Sequence, residues 1–399
     1  MIQWLRRVEP DRLFLRAGER VWTYGEAADE VEIRITNQPQ LIQPSLTPES
    51  VFAFVAGIAG GGATVVGPQT ETTEPGGADL VVFTSGSTGP ARGVRLTRAN
   101  MAAAASASIE HLGHGPDDNW LLVMPLHHVG GLSIVVRQAF AGGSMTLLPG
   151  FDAATVAAAM SEEVTMVSVV PTMLRRLIPF GPFSDLRAVL VGGGPIPPGL
   201  LEEAAGVGLP VLPTYGMTET FGQVATLRPG SPLEYKVDPL PGIRIRTEPD
   251  GRIALKGAQV SPGYLGSADR PDPWLITNDL GELDSDGSLR VLGRADTIIV
   301  TGGENVSPER VESVLRGHPG VDETVVAGVD DELWGQIVIA VYSGSARAED
   351  LEAWVSSRLP GHMAPKRLIR VAAIPKTAIG KPDRSAAALL GELDLGADD

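Results

Sequence analysis

The stretch Leu80-Val81-Val82-Phe83-Thr84-Ser85-Gly86-Ser87-Thr88-Gly89-Pro90-Ala91-Arg92-Gly93-Val94-Arg95-Leu96 reads as strand, loop, strand. The apolar run Leu80–Phe83 leads in as a buried strand and Gly93–Leu96 leads out as a second. Between them, glycines allow backbone N–H groups to approach a ligand, and Ser and Thr hydroxyls add further donors for an anionic oxygen. The loop lacks the Gly-Lys-Ser/Thr ending and the following helix of a Walker P-loop. It therefore reads as a phosphate cradle for a nucleoside triphosphate, built differently from that motif.

Outside this stretch, composition narrows the choices. At 399 residues the chain suggests two or three domains, and its 43% hydrophobic content supplies ample core. The balance of 32 basic against 48 acidic residues gives a net charge of -16, which argues against nucleic acid or an anionic membrane as partner. An anionic substrate must then be held locally, by loop amides, a metal and a few cations. The absence of cysteine rules out a disulfide framework, a thiolate metal site or a thiol nucleophile and is compatible with the cytoplasm. Met1–Pro10 carries charges where a signal peptide needs an apolar core. The uncharged run Val51–Gly67 barely reaches the roughly 17-residue minimum for a span and is interrupted by Gly60-Gly61-Gly62. It reads as a buried helix followed by a core strand, so no membrane insertion is expected.

No repeat of fixed period is present. Thr97 reads as the N-cap of an alanine-rich helix through Met101–Ser108. From Trp120 to Leu292, apolar runs (Leu121–Met124, Val164–Val170, Ala188–Val191) alternate with helical stretches (Ala153–Glu162, Gly199–Ala205), the pattern of α/β layers with largely parallel buried strands. A short strand is expected at Pro210–Pro213. Around Ile243–Leu255 the pattern becomes short and alternating, as in a small antiparallel sheet. Past Gly293-Arg294-Ala295-Asp296, strands at Thr297–Val300, Glu323–Val329, Ile337–Tyr342 and Arg367–Val371 and helices at Pro308–Arg316 and Ala348–Leu359 form an α+β pattern. The expected organisation is a large N-terminal α/β domain of layered sheets and helices (residues 1–293) and a small, mobile α+β C-terminal domain (297–399), joined by a hinge at 294–296.

Eight motifs occur in one order: Thr84–Val94, Pro125-Leu126-His127-His128-Val129-Gly130-Gly131, Val191-Gly192-Gly193-Gly194-Pro195, Tyr215-Gly216-Met217-Thr218-Glu219-Thr220, Thr277-Asn278-Asp279-Leu280-Gly281, Gly293–Asp296, Gly302-Gly303-Glu304-Asn305 and Pro375-Lys376-Thr377-Ala378-Ile379-Gly380-Lys381. Together they resemble the adenylate-forming superfamily of acyl-CoA synthetases, luciferases and peptide-synthetase adenylation domains, from about residue 10 to 385. Activating a carboxylate with ATP requires holding the triphosphate, neutralising charge at the α-phosphorus and excluding water.

The resemblance implies a role for each motif. Thr84, Ser85, Gly86, Ser87, Thr88, Gly89 and Arg92 would hold the β- and γ-phosphates, with Ala91-Arg92 standing where the family has Pro-Lys. Gly192, Gly193 and Gly194 would line the adenine and acyl pockets. Tyr215 would stack on adenine beside Gly216 and Met217, Thr218 would meet the α-phosphate, and Glu219, with Thr88, would take Mg²⁺. Asp279 and Arg294 would bind the ribose hydroxyls. His128 would gate the acyl pocket beside Gly130 and support adenylation; His127-His128 lacks the acidic or cysteine neighbours of a metal site. Lys381 would stabilise charge as the carboxylate attacks the α-phosphate. The small domain would rotate about Asp296 and bring Gly302, Gly303 and Glu304 toward the thiol of CoA.

The chain is short for this superfamily, and the shortening lies before Thr84. Short members include the o-succinylbenzoate:CoA ligases of menaquinone biosynthesis, whose counterparts of Ser168–Leu177 and Met124–Leu132 this chain resembles. That substrate carries a second carboxylate, for which Ser168 and Arg175 are candidates. The resemblance implies a small carboxylic acid, ATP, Mg²⁺ and CoA as ligands, with a homodimer possible. Other readings are another aryl- or acyl-CoA ligase, an enzyme that loads a carrier protein, or a non-catalytic nucleotide-binding protein. If Asp296 is the hinge, Asp296→Pro should leave acyl-adenylate formation intact and impair thioester formation. Assays of the two half-reactions check this, and equal loss of both would refute the hinge.

Overall fold

The structure, a computed structural model, describes residues 1–42, 45–66, 76–84, 92–197, 199–376 and 382–395. Among these residues the largest element is a nine-stranded sheet. Its centre is parallel, in the spatial order Val211–Met217, Ala188–Val191, Met166–Val169, Asn119–Leu122, Ser144–Leu147 and Leu13–Ala17. Antiparallel strands close both edges: Gly222–Thr226 and Asp238–Pro239 on one side, Arg20–Thr23 on the other. The central strands are apolar throughout because both faces are covered. Trp120, Leu122, Met166, Ala188 and Leu190 point into one core, while Leu121, Val167, Val169, Val189 and Val191 point into another. The second core is roofed by the helices Ala153–Met160, Pro171–Leu177 and Leu200–Gly206.

The first core lies between this sheet and a five-stranded one that carries the opening stretch. Leu80–Thr84 and Arg92–Leu96 pair antiparallel from Leu80 opposite Leu96 to Thr84 opposite Arg92, which is the strand, loop, strand order expected. Residues 85–91 lie outside the described residues. Thr64–Val66 and Gln40–Ile42 continue the sheet in parallel, and Gly263–Tyr264 closes its far edge. Helices Pro48–Ala59 and Arg98–Leu112 fill the gap between the sheets. Thr97 caps the second helix in a reciprocal capping box with Asn100. Within Val51–Gly67, the described residues belong to the helix Pro48–Ala59, a short connection and the strand Thr64–Val66; no described helix is long and apolar enough to cross a membrane.

Arg244–Thr247, Arg252–Lys256, Leu275–Leu283 and Leu289–Arg294 form a four-stranded antiparallel sheet. Beyond it, a five-stranded sheet carries helices Pro308–Arg316, Ala348–Ser356 and Arg384–Leu395. Its hydrophobic clusters run from Ile299 to Ala387 and share no buried residue with those of residues 1–289. Two of its elements, the strand Glu304–Val306 and the helix Arg384–Leu395, escape the sequence pattern. The strand expected at Pro210–Pro213 instead runs from Val211 to Met217, because Gly222–Thr226 pairs with its second half.

A buried carboxylate ties the parallel strands together at their entry. Asp118 accepts hydrogen bonds from Arg187 Nε (2.5 Å) and Nη2 (2.8 Å), the Gly115 amide (2.8 Å) and Thr165 Oγ1 (2.8 Å). Burial raises its pKa, but these donors together outweigh burial and hold it below the usual carboxylate range. A depressed carboxylate pKa means stability that is present above the unfolded value of about 3.9 and lost as pH falls through the folded value. Asp118→Asn should cost about 2–3 kcal/mol at pH 7. The difference from wild type should shrink below about pH 4, as read by denaturant unfolding across pH.

Candidate active site

The strand Val211–Met217 turns directly into a 3₁₀ turn, Thr218–Thr220, and returns as Gly222–Thr226. Gly216 permits this tight return, since a Cβ there would lie 2.1 Å from the Gly222 carbonyl oxygen. The turn is fastened from a neighbouring segment. The Ser261 amide donates to the Glu219 carbonyl (2.7 Å) and Gln259 Nε2 donates to the Gln223 carbonyl (2.6 Å). Thr218 and Glu219 are thus half-buried on a fixed backbone, and Tyr264 Oη donates to Glu219 Oε1 at 2.9 Å.

Tyr215, on the same strand, donates its hydroxyl to Asp279 Oδ2 at 2.8 Å. Burial raises the Asp279 pKa, and Tyr215 and Arg294 oppose the rise; burial and the adjacent carboxylate push the Tyr215 hydroxyl upward, so it remains a donor. Arg294 Nη1 lies 3.7 Å from Asp279 Oδ1, and its Nε and Nη2 donate to Asp296 at 2.9 and 2.7 Å. The expected adenine and ribose residues therefore converge, and they do so against the expected hinge. Gly192, Gly193 and Gly194 follow the neighbouring strand Ala188–Val191, with Gly193 at φ +74°.

Thr84 Oγ1 donates to the Arg92 carbonyl (3.3 Å) where the two strands end, and the Arg92 guanidinium lies 3.5 Å over the Tyr264 ring. Ser85, Gly86, Ser87, Thr88 and Gly89 lie outside the described residues, as does Lys381. The chain flanking Lys381 is pinned: Lys376 bridges Pro382, the Asp383 amide donates to the Pro375 carbonyl (2.8 Å), and Arg384 Nη2 reaches Glu309 and Glu312 at 2.9 and 2.8 Å. Gly302 and Gly303 form the left-handed tip of a hairpin ending in Glu304, where a Cβ on Gly302 would lie 2.8 Å from the Trp334 ring. Among the described residues no cluster of three His, Cys, Asp or Glu can hold a metal alone. One carboxylate, Glu219, sharing the ion with nucleotide phosphates suits the hard oxygen preference of Mg²⁺.

The sequence fits the AMP-binding enzyme model over residues 37–265 and the AMP-binding enzyme C-terminal domain over residues 310–381. The chain belongs to the AMP-binding enzyme family. It is 38% identical to the 2-succinylbenzoate–CoA ligase of Bacillus mycoides over 329 residues, covering 76% of this chain and 68% of that one. It also superposes on the o-succinylbenzoate CoA synthetase (MenE) of Bacillus subtilis in complex with the acyl-adenylate intermediate, with a TM-score of 0.88, 28% identity and 97% of each chain covered. The same enzyme in complex with ATP and magnesium ion gives 0.86 at 27% identity, over 96% of this chain and 98% of that one. This family architecture, a mixed α/β fold with a large N-terminal and a small C-terminal domain, is the one expected from sequence.

Within the AMP-binding fold, His128 stands at the N-cap position of the helix Val129–Ala141, whose first turn holds Gly130; its ring lies 4.1 Å from that of His127. Ser168 and Arg175 are not brought together. Ser168 alternates with Val167 and Val169, so it faces the first core, whereas Arg175 belongs to a helix packed on the second. Arg175 reaches Glu203 at 3.9 Å instead. A different arginine occupies the side of the sheet that Ser168 faces. Arg137, on the helix Val129–Ala141, is buried 5.3 Å over the Trp120 ring, and its Nη2 lies beside Gly222. No carboxylate pairs with it among the described residues, and burial pushes its pKa down to about 10, so it stays charged at neutral pH. His114, buried edge-on against Trp120, is pushed down to about 3, mainly by burial, and is neutral. The sequence signal for Arg137 is that it is the lone charge in a thirteen-residue helix, four residues after Ser133 and seven after Gly130 and so on the same helix face. On the ribose side, Asp279→Asn should raise the KM for ATP about tenfold and leave the KM for the acid within about twofold, measured as pyrophosphate release.

Proposed function

We propose that this chain joins 2-succinylbenzoate to CoA at the expense of ATP, releasing AMP and pyrophosphate, as a ligase of menaquinone biosynthesis. One carboxylate oxygen of the acid attacks the α-phosphorus of ATP; the bond from that phosphorus to the oxygen bridging the α- and β-phosphates breaks, and pyrophosphate leaves with that oxygen. The CoA thiol, losing its proton, then attacks the acyl carbonyl, and AMP departs with the adenylate oxygen. In this reading Tyr215, Asp279 and Arg294 hold the nucleoside, Thr218 meets the α-phosphate, and Thr84–Gly89 cradle the leaving pyrophosphate. Glu219 and Thr88 would hold Mg²⁺, which when bound neutralises phosphate charge. Lys381 from the small domain supports the first step. After rotation about Asp296 the Gly302–Glu304 hairpin supports the second. ATP, CoA and a small acid as substrates accord with the cytoplasm as location.

Arg137 carries the choice of acid. A buried guanidinium with no carboxylate of its own is costly unless a ligand supplies the anion. The second carboxylate of 2-succinylbenzoate does so, reaching Arg137 from the pocket gated by His128, with Ser168 facing the same side. Arg175 is assigned no part. Arg137→Met should raise the KM for 2-succinylbenzoate about a hundredfold while changing that for ATP less than threefold. An analogue lacking the second carboxylate should be used equally by both enzymes. Steady-state kinetics with the two acids tests this, and Arg175→Ala should leave all three constants near wild type.

A further inference from the structure

Tyr264 has no role in the motifs above, yet it joins the two halves of the phosphate site. It lies on the short strand Gly263–Tyr264, which pairs with the exit strand of the phosphate loop, Tyr264 opposite Val94. Its hydroxyl donates to Glu219 Oε1 at 2.9 Å, while the Arg92 guanidinium covers its ring at 3.5 Å. Backbone contacts keep these pieces in register: the Ser261 amide holds the Glu219 carbonyl at 2.7 Å, and the Leu265 amide holds the Gly93 carbonyl at 2.7 Å.

From this geometry we propose that Tyr264 is a positioning residue for the metal-binding carboxylate of Glu219, and that Arg92 acts by clamping the Tyr264 ring. The hydroxyl engages Oε1, which fixes the carboxylate's rotation about its last bond and orients Oε2 for a cation. A carboxylate on a flexible side chain otherwise loses rotamer freedom on binding the ion. A planar guanidinium suits the ring face, where a compact ammonium makes a different contact; this gives a physical reason for arginine at the position where the family has lysine.

The inference rests on Glu219 as the metal ligand, as proposed above, but is independent of which acid is activated. Its test is metal binding to the full-length chain with a non-hydrolysable ATP analogue and no acid, titrating Mn²⁺ by electron paramagnetic resonance, with analogue affinity in EDTA measured by calorimetry. Tyr264→Phe, which preserves packing, should weaken Mn²⁺ about tenfold and leave analogue affinity in EDTA within twofold. Arg92→Met should weaken Mn²⁺ less than Tyr264→Phe. The double variant should be no worse than Tyr264→Phe alone, the non-additivity of a shared path. Glu219→Gln should lose most of the Mn²⁺ affinity. Unchanged Mn²⁺ affinity in Tyr264→Phe or in Glu219→Gln overturns the proposal. So does an Arg92→Met loss that appears equally in EDTA and adds to Tyr264→Phe, because Arg92 would then hold phosphate directly.

Discussion

A chain with sixteen net negative charges repels a triphosphate everywhere except where donors are concentrated against it. That electrostatic constraint accounts for much of the architecture. In the proposed site, donors stand at the ends of strands, and two acidic groups there are bound in a definite way. Asp279 is capped by Tyr215 and faced by Arg294, and Glu219 is capped by Tyr264. An uncapped carboxylate at either place would oppose the ligand. A capped one presents an oriented acceptor to a ribose hydroxyl or to a cation.

The large parallel sheet meets the geometric side of the same constraint. Its strands are apolar on both faces, so they are rigidly buried, and the polar residues fall at their ends, where backbone hydrogen bonding runs out. The turn Thr218–Thr220 and the glycines after Val191 occupy such positions on adjacent strands. The strands flanking Thr84 and Arg92 and the turn carrying Glu219 come from different sheets, and the segment Gln259–Tyr264 spans between them. The site is therefore held by tertiary contacts, and its precision depends on both sheets folding.

Local chemistry was readable in the sequence where it is encoded locally. The strand, loop, strand order around Thr84–Arg92, the Thr97 cap and the run Pro308–Arg316 all follow from apolar period, capping residues and glycine placement. Convergence across sequence separation was readable only where a motif marked it, as for Tyr215, Asp279 and Arg294. Arg175 looked as suitable for a carboxylate as Arg137 does, because strand register decides which face Ser168 takes, and register is a tertiary property. Tyr264 gave no signal, since a tyrosine beside a glycine is equally at home in an ordinary edge strand. The second half of Val211–Met217 was missed because its pairing partner, not its own pattern, makes it a strand. The helix Arg384–Leu395 was missed although it packs against the sheet through Ala387.

The separation of hydrophobic clusters between residues 1–289 and 299–387 means that no buried side chain is shared across the connection. Core substitutions on the two sides then act on stability independently and add. Each half can drift in sequence without repacking the other. The two remain joined through the linker, which the local Arg294–Asp296 pair braces. For selection, this makes the chain a modular assembly, in which the cores of residues 1–289 and 299–387 can be retuned one at a time.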